Sequence, residues 1–188
     1  MSTKILNIDS FQPKTGEKYL FDTNALINIF YPPIGSNNSA PYIKLYEKAI
    51  AVKSTLLISG INLSEFINRC IRFHFDLYRE SHDNIKKFKR DYRNTDDYKE
   101  SMKAILEIVT TDILPFFHKT NDNFQNMNEN SLFLYGISYD FNDAFISEMS
   151  QLENCILVTD DSDYINFLNN LTTIVTNNKS LLMFGSHR

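Results

Sequence analysis

Hydrophobic residues along this chain follow two rhythms. Short unbroken runs occur at Tyr19-Leu20-Phe21, in "STLLISG" (54–60), in "NCILVTD" (154–160) and in "TTIVT" (172–176). They lack the polar alternation of a half-exposed strand, so they read as short strands buried on both faces. The stretches between them repeat at helical spacing. A helix capped by Asp22 or Thr23 is predicted through about Phe30, and another from about Pro41 to Lys53, with Pro41 suited to its first turn. In "NLSEFINRCIRFHFDLYRE", Leu63, Phe66, Ile67, Cys70, Ile71, Phe75 and Leu77 mark a strongly amphipathic helix that can run on into "NIKKFKRDYR". A further helix is predicted from about Thr95 to Thr111. "DILPFF" reads as a short strand or a helix end, with Pro115 favouring a break at Leu114. "KTNDNFQNMNENSLFLYG" reads as a loop or a loose helix. An amphipathic helix starts near Asn142, and "DSDYINFLNNL" forms a short one. "YPPIGSNNSAP" is a loop, and the last dozen residues carry no clear signal.

Alternating strands and helices of this kind describe an α/β fold with a mostly parallel sheet covered on both faces. Residues 1–17 are polar and read as an N-terminal extension, with one domain over 18–188. The long helical sequence around residues 72–112 reads as an insertion. Composition changes this picture little. A net charge of −4 is not the global basic signature of a protein that coats nucleic acid, although a local basic patch remains compatible with a nucleic-acid enzyme. Cys70 and Cys155 lie in apolar surroundings without C-x-x-C spacing, so they read as buried core thiols. The N-terminal residues lack a secretory h-region and no run is long enough to span a membrane, so a cytoplasmic protein is expected.

The chemistry lies in the carboxylates. Asp22 follows the first run, and Asp160 and Asp161 follow "CILVT". In an open parallel sheet these strand ends share one edge, where ligands bind. Glu65 is expected in the first turn of the helix after "LLIS", and Asp143 in the first turn of its own helix, both at that edge. Singly, each acid also reads as a helix cap or a turn former. Together they would repel one another unless a cation neutralises them. Oxygen-only ligands suit Mg²⁺ or Mn²⁺, and one or two such ions suit phosphodiester chemistry.

Four blocks, "FDTNALINIF", "NLSEFINR", "YDFNDAFISEM" and "LVTDDSDY", resemble in order the motifs of the PIN-domain family over about residues 18–176. The resemblance implies an α/β/α sandwich and a metal-dependent nuclease acting on single-stranded RNA. It puts the metal ligands at Asp22, Glu65, Asp143 and Asp161, with Asp163 a fifth, and supporting roles at Asn24 and Thr159. It also implies a 5′-phosphate and a 3′-hydroxyl as products. Small bacterial members include VapC-like toxins held inactive by an antitoxin, so an antitoxin partner and a homodimer are within the expectation. The insertion departs from that compact group, and Tyr164 stands where Phe is commoner.

Other features were weighed beside this reading. "KKFKRDYR" offers Lys86, Lys87, Lys89, Arg90 and Arg93 as RNA contacts with stacking from Phe88 or Tyr92, or else is a solvated helix face whose aromatics enter the core. Asp140 either caps a helix or joins the site. The four histidines have no zinc spacing, and no phosphate-binding glycine loop is present. A haloacid-dehalogenase-type phosphatase would need a second Asp where Asn24 stands. A catalytically silent PIN-like scaffold would have no need of a self-repelling acid cluster.

Overall fold

The computed structural model describes residues 3–33, 38–136, 140–168 and 173–186. Six parallel strands form one sheet: β1 (Lys4–Asn7), β2 (Lys18–Phe21), β3 (Thr55–Ile58), β4 (His118–Lys119), β5 (Ile156–Val158) and β6 (Thr173–Thr176). Their order across the sheet is β1-β6-β5-β2-β3-β4. Neighbouring residues of each central strand serve opposite faces, as the two-residue period of a strand requires. Tyr19, Phe21, Leu56, Ile58, Val158 and Val175 enter one apolar cluster. Leu20, Leu57, Leu157 and Ile174 enter the other. The first face is covered by α1 (Thr23–Phe30), α2 (Ser39–Ala51) and α3 (Gly60–Glu80), the second by α6 (Phe141–Leu152) and α7 (Lys179–Ser186). This is the expected α/β/α sandwich, and every strand pairing among the described residues is parallel.

The strand order explains where a ligand can bind. From β2 the chain moves to β3 and β4 on one side, then returns to β5 and β6 on the other. The boundary between β2 and β5 is therefore the switch point, and a crevice opens at the carboxyl ends of these two strands. Asp22 follows β2 there, and Thr159, Asp160 and Asp161 follow β5.

Several elements differ from the sequence reading. Residues read as an extension contribute β1, which pairs with β6 from Lys4 beside Thr173 to Asn7 beside Thr176. At four and two residues, β1 and β4 are too short and too exposed to leave an apolar signature. The final residues form α7, anchored by Leu181. Leu114 keeps a right-handed helical conformation ahead of Pro115, because the chain closes a π-helical turn over Val109–Ile113 and then a tight turn onto the Ile113 carbonyl. "NSLFLYG" lies within α5 (Glu129–Gly136). The loop over 34–37 and the end of the "DSDYINFLNNL" helix lie partly outside the described residues.

The insertion adds an aromatic cluster to the core on the first face of the sheet. α3 stops at Glu80 rather than continuing, and "NIKKFKRDYR" contains a separate π-helical turn over Phe88–Tyr92 before α4 (Asp96–Ile108). Phe75 meets both Phe88 and Tyr92 at 5.5 Å between ring centroids, and Tyr98 meets Tyr92 edge-on at 5.6 Å. Phe88 and Tyr92 are thus buried, whereas Lys86, Lys87, Lys89, Arg90 and Arg93 are exposed. The stacking half of the RNA-contact reading is corrected: both rings are occupied in the core.

Tyr42 fastens the outer helix layer to the crevice. Its hydroxyl donates toward the Thr159 carbonyl (3.1 Å) and Asp160 Oδ1 (2.9 Å), and accepts from the Asn177 N–H (3.0 Å). The ring is wholly buried. Tyr42→Phe leaves these groups without their shared partner, at an expected cost of about 1–3 kcal/mol. Thermal denaturation should show a fall of roughly 3–9 °C. An unchanged melting temperature would mean that the hydroxyl is not a tie.

Candidate active site

Asp22 sits where β2 becomes α1, and its backbone is extended before the first helical residue. Its N–H still belongs to the sheet, donating to the Val158 carbonyl at 2.9 Å. Its side chain faces two ways. Oδ1 accepts from the Thr23 N–H (2.7 Å), which caps the helix, and Oδ2 accepts from Thr159 Oγ1 (2.9 Å). The Tyr164 hydroxyl lies 3.5 Å from Oδ1. Capping is therefore real, but it does not compensate the charge. Burial pushes the Asp22 carboxyl up to about 7, against the lowering effect of Thr159, with Glu65 and Asp161 raising it further.

The loop after β5 organises the other wall. Thr159 Oγ1 accepts from the Asp161 N–H (2.9 Å) while donating to Asp22, so one hydroxyl fixes both acids. Asn24 donates from Nδ2 to Asp161 Oδ2 at 2.9 Å. Both supporting residues expected from sequence thus touch the acids they were expected to support. Asp160 turns away to Tyr42 and Asn28. Asp163 is exposed on the short 3-10 helix Ser162–Phe167, and its backbone N–H, not its carboxylate, is what engages Asp161.

Glu65 and Asp143 arrive from the helix layers on opposite faces of the sheet. Glu65 lies in the second turn of α3, not the first, because Ser59 caps the helix one residue before Gly60. It contacts Asn142, whose Nδ2 lies 3.4 Å from Glu65 Oε2. Asp143 occupies the first turn of α6, where Asp140 is the cap and accepts from the Asn142 N–H at 2.8 Å. Burial pushes the Asp143 carboxyl up to about 8, aided by the negative charges of Asp22, Asp161, Asp140 and Glu65. Burial, aided by the negative charges of Asp22, Asp143, Asp161 and Glu65, holds the Tyr164 hydroxyl protonated well above its usual range.

Three contributors were missed from sequence. Arg69 donates from Nη1 to Asn24 Oδ1 (2.6 Å) and lies 3.7 Å from Glu65 Oε1. It is one helical turn beyond Glu65, a spacing that could have flagged it. Asn142 has no distinguishing signal, being ordinary at a helix start, and Tyr164 is marked in the sequence only as standing where Phe is commoner.

Asp22, Glu65, Asp143 and Asp161 therefore share one electrostatic neighbourhood at the switch point. Among the described residues no three acidic, histidine or cysteine side chains stand, as placed, close enough together to hold a metal ion. Two carboxyls raised by uncompensated burial and repulsion, in an oxygen-only donor set, fit a hard divalent cation such as Mg²⁺ or Mn²⁺. Asp22, Asp143 and Asp161 would hold it, with Glu65 beside them.

The raised carboxyls carry a pH signature. Unfolded Asp loses its proton near pH 4, whereas native Asp22 and Asp143 keep theirs to about 7 and 8. The stability this gives is complete below pH 4 and is lost as pH rises through 7 to 8. With chelator present, the melting temperature is expected to fall by about 5 °C or more between pH 5 and 8.5. Asp143→Asn should flatten that slope. An equal slope in the variant would place Asp143 outside the repelling set.

Comparisons with known proteins agree with this arrangement. A family model described as the PIN domain matches residues 19–168. Among curated protein sequences no relative matches the chain. Several solved structures are similar to the chain at low identity. VapBC2 from Rickettsia felis, bound to a DNA fragment from its promoter, is 16% identical with a TM-score of 0.49, over 84% of this chain and 98% of that one. FitAcB from Neisseria gonorrhoeae is 13% identical with a TM-score of 0.48, over 83% and 96%. PAE2754 from Pyrobaculum aerophilum is 16% identical with a TM-score of 0.46, over 93% and 100%. By its family match, and with a sheet and motif order that agree, the chain belongs to the PIN domain family.

Proposed function

We propose that this protein is a metal-dependent endoribonuclease that cleaves single-stranded RNA, of the VapC-like toxin kind. The observation that carries the reading is the convergence of Asp22, Glu65, Asp143 and Asp161 on the crevice between β2 and β5. A divalent cation held there would supply charge neutralisation for the scissile phosphate and acidify a bound water enough to attack at neutral pH. The chain's own residues prepare the site. Thr159 holds Asp22 and Asp161 in fixed orientation, Asn24 holds the other face of Asp161, and Asn142 steadies Glu65. Glu65 would either share a second cation or orient the attacking water. Asp163 would act through its backbone contact to Asp161.

The exposed Lys86, Lys87, Lys89, Arg90 and Arg93 would attract the RNA backbone by charge alone. The toxin assignment, and with it an antitoxin partner, rests on the motif resemblance. The insertion is what sets this chain apart within it.

Incubating a labelled single-stranded RNA pool with Mg²⁺ or Mn²⁺, beside a chelator control, tests the reading. Cleavage should require metal, and Asp143→Asn should lower it by roughly 100-fold or more while the melting temperature is kept or raised. Absence of cleavage together with no heat of Mn²⁺ binding would sink it in favour of a silent scaffold.

A further inference from the structure

The acid crevice is not the only concavity at this edge. A cavity of about 190 Å³ lies between α1 and α3, lined by Ile27, Tyr31, Pro33, Arg69, Cys70 and Phe73. Its shape follows from helix spacing: Ile27 on α1 and Tyr31, which caps that helix, are four apart, and Arg69 and Phe73 are four apart on α3. The walls are apolar except at Arg69. That residue belongs to both places, because its Nη1 donates to Asn24 Oδ1 at 2.6 Å, and Asn24 in turn holds Asp161 at 2.9 Å. A hydrogen-bond chain from Arg69 through Asn24 to Asp161 thus links the cavity wall to the acids.

We infer that this cavity is a nucleotide subsite: it takes the base of a nucleotide flanking the scissile phosphate, while Arg69 grips a phosphate of that nucleotide. The inference rests on the ribonuclease reading and deepens it. Size is the first argument. An apolar space of about 150 Å³ admits one benzene-like ring, whereas sites for whole drug-sized ligands start near 300 Å³. This cavity suits a single flat base. Its walls are the second argument. Phe73 is 39% exposed, and Tyr31 is held by a hydrogen bond between its hydroxyl and His74 Nε2, with the two rings edge-on at 5.8 Å. Both give sequence-tolerant faces for a base.

Charge is the third argument and selects the occupant. A bare acid cluster repels a phosphodiester. Arg69 is the cation in contact with this cluster, its side chain is 47% exposed, and both of its contacts use Nη1. With Nη1 so engaged and the side chain half-exposed, the guanidinium keeps donors for phosphate oxygens. An apolar protein segment filling the cavity would cover Arg69 without answering its charge.

The test uses Asp143→Asn as the non-cleaving parent and measures anisotropy of a short labelled single-stranded RNA in Mg²⁺. Phe73→Ala and Arg69→Ala should each weaken binding about tenfold, with Arg69→Lys recovering part of the loss. Phe124→Ala, an exposed ring on the opposite face of the sheet, should change nothing. An abasic substitution at one RNA position should cost as much as Phe73→Ala, and the two losses should not add. In the otherwise wild-type enzyme, Phe73→Ala should raise KM while leaving kcat near its original value. Unaltered affinity in both variants, or losses that add at every abasic position, would overturn the subsite. If that happens while the wild type still cleaves RNA with metal, only the subsite falls. A wild type that neither cleaves nor binds RNA removes the ribonuclease reading and the subsite together.

Discussion

The Thr159 hydroxyl between Asp22 and Asp161 is the contact on which the site depends. It donates to the first acid and accepts from the backbone of the second, so it joins the ends of two strands that are 137 residues apart in sequence. Without such a tie, two carboxylates at adjacent strand ends would separate to reduce their repulsion. Its burial matters as much as its geometry. Water would screen the acids and let each relax outward. A dry hydroxyl holds them in place, and the unspent repulsion remains available to a cation.

That arrangement depends on sheet order rather than on any single helix. β2 and β5 are neighbours only because the chain turns back across the sheet after β4. The turn-back is also what leaves a crevice between helices that diverge from the switch point. Asp22 shows how economical the junction is, since the cap for α1 and the proposed metal ligand call for the same carboxylate at the same place. The two roles differ in one respect. Capping by an exposed Asp is content with its ordinary ionisation, whereas Asp22 is buried and raised to about 7. The helix explains why an acid stands there. It does not explain why the acid is sealed from water beside three others.

Much of this was legible in the sequence, for physical reasons that also explain the gaps. Doubly buried strands such as "TLLI" and "TIVT" leave continuous apolar runs, so the inner sheet could be read directly. β1 and β4 lie at the two ends of the sheet; β1 holds only the half-buried Ile5 and Leu6 between exposed ends and β4 is two exposed residues, so neither carries a run like those of the inner strands. Asp22 and Asp161 stand out because each follows an abrupt change from apolar to polar, and Asp143 because it opens an amphipathic helix. Glu65 was found, but one turn too early in its helix, because Ser59 caps α3 well ahead of "NLSE". Arg69 was passed over because an arginine on a helix normally reads as solvated surface. Only the fold shows Asn24 waiting beneath it.

Tyr164 shows why conservative-looking differences need the structure. Replacing Phe by Tyr adds one hydroxyl, which on a surface would matter little. Here it is buried 3.5 Å from Asp22 Oδ1, among acids that hold it protonated. The extra oxygen sits on the 3-10 helix that also carries Asp163, and it gives the buried ring a polar neighbour. That helix meets Asp22 through the Tyr164 hydroxyl and Asp161 through the Asp163 backbone N–H.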